Sequence, residues 1–116
     1  MTYLTNRAAF IVIPRQPFVD WVQGLDADAA NIPAEDIMDP RAVYLVFDHE
    51  DGYDQEKLIQ NNFKAVFEEQ LNGWSLDETQ WPEKRDLRTF KKWFHIAICS
   101  MVIDLADKQP MIESDY

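Results

Sequence analysis

Residues 93–105, WFHIAICSMVIDL, form the longest stretch of this chain with almost no charge, and the other apolar segments are sized to pack on it. With a period of two, Ile96, Ile98, Ser100, Val102 and Asp104 line one face, and Ala97, Cys99, Met101, Ile103 and Leu105 line the other. With a helical period, Phe94, Ala97, Ile98, Met101, Val102 and Leu105 make a stripe. Composition favours the strand: β-branched residues recur at 96, 98, 102 and 103 and lose χ1 freedom in a helix. A strand apolar on both faces is usually interior to its sheet with material on each side. The expectation is a central strand over 95–105.

At 116 residues the chain suits one domain with a real core. An apolar fraction of 47% and an aromatic fraction of 13% point to a folded globule. No apolar run approaches the length of a membrane span, and the first residues lack the layout of a signal peptide. The single cysteine, Cys99, excludes an internal disulfide and suits a reducing cytoplasm; on a strand it reads as a small core residue. The net charge is −10, and residues 20–56 hold eleven acids against Arg41 alone. Five bases gather later, at Lys84, Arg85, Arg88, Lys91 and Lys92. An acidic total of this size argues against binding nucleic acid, whose phosphates need a basic face.

Taken in order, 8–13 read as a first strand stopped by Pro14. Pro17 suits the first turn of a helix over 17–24, with Phe18, Trp21, Val22 and Leu25 on one side and Gly24 closing it in a left-handed conformation. Residues 26–40 read as an acidic loop with one helical turn at 34–38. Residues 42–47 are β-branched and aromatic, a second strand. Asp54 is placed to cap a helix over 54–72, with Tyr53 and Leu58 as a hydrophobic staple and Ile59, Phe63, Val66, Phe67 and Leu71 as its stripe, ending at Gly73 as C′. Ser75 and Glu78 have capping-box spacing. Asp86 caps a short helix over 86–93, and residues 106–116 read as a frayed tail. The predicted fold is α+β: a single two-layer domain with a sheet of about three strands, 8–13, 42–47 and 95–105, covered by these helices. Helical connections permit parallel pairing and leave the strand order open.

Trp74, Asp77-Glu78, Trp81-Pro82, Arg85, Phe90, Trp93-Phe94, Ser100-Met101-Val102 and Asp104-Leu105 resemble a family of small uncharacterised bacterial proteins of about this length. The likeness extends to Arg7-Ala8-Ala9, Pro17, Trp21 and Tyr44-Leu45. It implies a single-domain bacterial cytoplasmic protein and carries over no activity, cofactor or catalytic residue.

Asp48, His49 and Asp51, with Glu50, are where imidazole and carboxylates crowd, and a hard-cation site there is the functional reading. The spacing matches no calcium loop, and acids before a helix N-terminus are ordinarily solvated partners of its dipole; no metal is expected. His95 lacks a nearby oxyanion loop and reads as a half-exposed structural histidine. Asp104 reads as the partner of Arg85 or Arg88. Trp74, Trp81 and Trp93 sit in or beside one connection and either fasten it to the sheet or, with Arg85 and Arg88, frame a pocket for an anionic or aromatic group. Two functions follow. One is an acidic cytoplasmic interaction module without catalysis or cofactor, meeting a basic protein surface or forming a homodimer through the 84–92 cluster. The other is a small-ligand protein or enzyme built around Trp74, Trp81, Arg85, His95 and Asp104.

Overall fold

Burial along RAAFIVIP alternates with a two-residue period, and the sheet is organised around it. The computed structural model describes residues 3–4, 7–40, 42–47, 54–106 and 108–109. Strand β2, Arg7–Pro14, buries Ala8, Phe10, Val12 and Pro14 on one face. Strand β3, Val43–Phe47, pairs antiparallel along one side of it, with Phe10 opposite Tyr44 and Ala8 opposite Val46. Strand β4, Phe94–Cys99, pairs antiparallel along the other, with Val12 opposite Ile96 and Phe10 opposite Ile98. The order is β3-β2-β4. A separate two-stranded ladder joins β1, Tyr3–Leu4, to β5, Ile103–Asp104.

This corrects the expected place of the C-terminal run. It is a strand, but it ends at Cys99, resumes only at Ile103–Asp104, and occupies an edge of the three-stranded sheet. The central strand is β2, because its eight residues offer hydrogen bonds on both sides. Every pairing in the sheet is antiparallel despite the helices between strands.

Four helices lie against the inner face of the sheet or support those that do. Helix α1, Gln16–Gln23, starts through Pro17 and buries Phe18, Val19 and Val22. The short helix α2, Ala34–Met38, adds Ile37. Helix α3, Gln55–Asn72, starts where the Asp54 carboxylate accepts from the backbone N–H groups of Glu56 and Lys57, at 3.1 and 3.4 Å. Its expected stripe is the one that packs: Ile59, Val66, Phe67 and Leu71 are buried and Phe63 is half-buried. Tyr53, the other half of the expected staple, lies outside the described residues. Helix α4, Leu87–Trp93, is capped by Asp86, which accepts from the Thr89 N–H at 2.8 Å. Gly24 and Gly73 close α1 and α3 with φ of −86° and −64°, so both helices end without the expected left-handed residue. The turn after α3 is a 3-10 turn at Glu78–Gln80 capped by Asp77 instead of Ser75. Most of the expected tail, 107 and 110–116, lies outside the described residues.

The centre of the core is aromatic. Phe10, Phe18, Phe67, Phe90 and Phe94 are 0–1% exposed, and Phe94 sits 4.9 Å from Phe18, 5.2 Å from Phe90 and 5.7 Å from Phe67 between ring centroids. These tilted and edge-on contacts are the arrangements that ring quadrupoles favour.

Candidate functional site

The same alternation that fills the core leaves a second set of side chains on the opposite face of the sheet. β2 sends Arg7, Ala9, Ile11 and Ile13 there, and the pairing sets Phe47, Leu45 and Val43 beside Arg7, Ala9 and Ile11. On the other flank Cys99, Ala97 and His95 stand beside Ala9, Ile11 and Ile13. Val43, Leu45 and Phe47 are 58%, 43% and 51% exposed. The chain continues past Cys99 into Met101, Ile103 and Leu105, which are also exposed. An antiparallel sheet with one solvated face ordinarily carries polar residues on it. Here that face is apolar, apart from Arg7, stacked 5.8 Å over the Phe47 ring, and His95, whose Nδ1 lies 3.5 Å from an Arg15 guanidinium nitrogen. All the described helices that bury side chains against the sheet do so on its inner face.

The tryptophan-rich connection lies on the helical side. The Trp81 indole N–H donates to the Ser75 carbonyl at 2.9 Å, and that of Trp21 donates to the Gln80 carbonyl at 2.9 Å. Arg85 stacks 5.6 Å over the Trp81 ring and donates to the Pro82 carbonyl at 2.8 Å. Trp74, Trp81 and Trp93 are half-buried against the core. The Trp21 indole thus holds residues 74–86 onto α1, and the Trp81 indole ties that segment back on itself. Trp81 and Arg85 are brought together; His95 is on the other face of the sheet. Arg88 is exposed on α4. Asp104, in the β1–β5 ladder, uses its carboxylate to accept from the Ala106 N–H at 2.8 Å, in place of the expected ion pair with Arg85 or Arg88. The basic cluster meets the acidic middle within the chain: Lys91 bonds Glu56 at 2.5 Å. Asp48, His49 and Asp51 lie outside the described residues, and among the described residues no group of three metal-ligating side chains gathers. No described helix is long and apolar enough to cross a membrane.

An open groove of about 330 Å³ runs between β3 and α3, lined by Tyr44, Leu45, Val46, Asn62, Ala65, Val66 and Glu69. Gln70 donates to the Tyr44 hydroxyl at 2.8 Å, and burial pushes the phenol's pKa up. A raised phenol stays neutral at physiological pH, so it adds no charge to the groove.

Two capping carboxylates are held below their ordinary pKa of 3.8, Asp77 and Asp86, chiefly by hydrogen bonds from the Thr79 and Thr89 side chains and then by those residues' backbone N–H groups. A depressed carboxyl stabilises the fold fully above its unfolded pKa, and that contribution fades as pH falls through the folded value. Thermal stability is therefore expected to fall as pH drops below about 4, and an Asp77→Asn/Asp86→Asn variant to show a shallower fall. Equal slopes for the two proteins would show that these caps play no part in acid unfolding.

Set against protein-family models, curated proteins and solved structures, the chain matches none.

Proposed function

We propose that this chain is a small acidic interaction module of the cytoplasm that works by docking a protein on the outer face of its sheet, without catalysis. One observation carries the reading: the strands are apolar on both faces, whereas the described helices cover only one. Leaving Val43, Leu45 and Phe47 in water sacrifices about 25 cal/mol for each Å² of apolar surface that a partner would remove, and contiguous exposed patches of this kind mark contact sites. The lone cysteine suits a reducing compartment.

The reading predicts that these side chains serve contact and not folding. A Val43→Thr/Leu45→Thr variant keeps β-propensity while removing apolar surface. Its melting temperature, measured at dilutions where the wild-type value no longer depends on concentration, should stay within about 4 °C of wild type, since each surface change of this kind stays near ±0.5 kcal/mol. A drop of many degrees would show that the face is part of the chain's own core and would remove the reading.

A further inference from the structure

We propose that the occupant of the outer face is a second copy of this chain, packed sheet on sheet about a two-fold axis. The inference rests on the reading of that face as the working surface and names its partner.

Charge is the first ground. Each copy carries a net charge of −10, from 21 acids against 11 bases. Two such molecules repel, and contact is least opposed where carboxylates are missing. The strands 7–14, 43–47 and 94–99 contain no Asp or Glu at all. An acid-depleted surface on so acidic a chain is the one on which two copies approach with least repulsion.

Shape and area are the second. Facing antiparallel sheets pack about 10 Å apart with strands within about 30° of each other, their side chains interdigitating. The outer face offers relief for this: the small Ala9 lies between Leu45 and Cys99, and the small Ala97 stands beside the larger Ile11. Strands about 4.8 Å apart rising about 3.3 Å per residue give strands of eight, five and six residues a footprint of roughly 15 by 20 Å. Even with side-chain relief this is a small interface, below the roughly 800 Å² per partner of a standard one, and it suits a weak dimer. A two-fold contact needs one self-complementary patch, and an apolar, nearly uncharged sheet face is one. Within this sequence, the longest stretches outside the described residues are 48–53 and 110–116, at most seven residues and rich in acids. They offer no apolar layer of matching size.

The test is sedimentation equilibrium of the full chain across micromolar to millimolar concentration, at low and high salt. Wild type should dimerise, and high salt should tighten the dimer several-fold by screening like charge. Leu45→Lys and, separately, Val43→Lys should each weaken it at least about 100-fold, because every substitution enters the interface twice. Both positions are well exposed in one copy, so the variants should fold, which far-UV circular dichroism is to check. The rate of Cys99 labelling by a thiol reagent should fall as concentration rises, since that side chain lies on the covered face. A monomer at every concentration and salt overturns the dimer. So does a dimer that high salt dissolves and that Leu45→Lys leaves intact, since that is pairing of the acidic middle with the 84–92 bases. If wild type is monomeric while the Val43→Thr/Leu45→Thr variant keeps its melting temperature, the dimer fails and the docking face stands; if that temperature collapses, both fail.

Discussion

Truncating Phe94 to alanine is expected to cost about 3–5 kcal/mol of stability. The side chain is 1% exposed and lies within 6 Å of the rings of Phe18, Phe67 and Phe90. It is thus the joint at which α1, α3 and α4 meet the sheet. No single neighbour can relax to fill the space, because each ring is held by others: Phe90 by Phe10 and Phe63, Phe67 by Trp93. Such a loss approaches the whole stability of a small domain, about 5–15 kcal/mol. Urea unfolding followed by tryptophan fluorescence would measure it. A cost under about 1 kcal/mol would mean that the aromatic cluster is not the core.

The second large effect contrasts adjacent residues. Val12→Lys places an ammonium at a site 1% exposed in the central strand, facing the aromatic cluster. A charge buried without a partner costs several kcal/mol, so the chain should lose its cooperative transition at neutral pH. Ile13→Lys, one position on, falls on the outer face, where the wild-type side chain is 36% exposed. That variant should fold, with its ammonium in water and its methylene stem along the sheet. Circular dichroism melts of the pair decide it: equal tolerance, or the reverse order, would show that the two faces have been assigned the wrong way round.

Why the inner and outer faces were hard to tell apart in the sequence follows from the residues themselves. Alternation marks a buried face only when the other face is polar. In β3, Tyr44 and Val46 point inward and Val43, Leu45 and Phe47 outward, and all five are apolar. The same ambiguity gives residues 95–105 the look of a central strand. Being apolar on both sides is the mark of an interior strand, but an edge strand bearing an uncovered face has the same mark. Helix α3 was legible for the opposite reason. Its cap at Asp54 and its stripe from Ile59 to Leu71 are local signals, and the structure keeps both. The ends marked by glycine were less so, since a residue that permits a left-handed turn does not require one. Ser75 had the spacing of a cap, but Asp77 stands closer to the turn that forms and accepts from both the Thr79 N–H and hydroxyl. The tryptophans were readable as anchors of a long connection. That His95 sits across the sheet from Trp81 depends on strand register, which one sequence does not carry.

The antiparallel strand at the middle of the sheet leaves the ribosome before either of its two partners. Phe10 cannot meet Ile98 until 88 further residues have been made, so the sheet closes long after its middle strand is synthesised. Until then the nascent chain displays a ribbon that is greasy on both sides and short of one neighbour. Pairings so distant in sequence slow folding, and unpaired strands invite aggregation while they wait. Yield in the cell should therefore depend on how quickly residues 48–99 are translated, and on holdase chaperones that shield the early strand meanwhile.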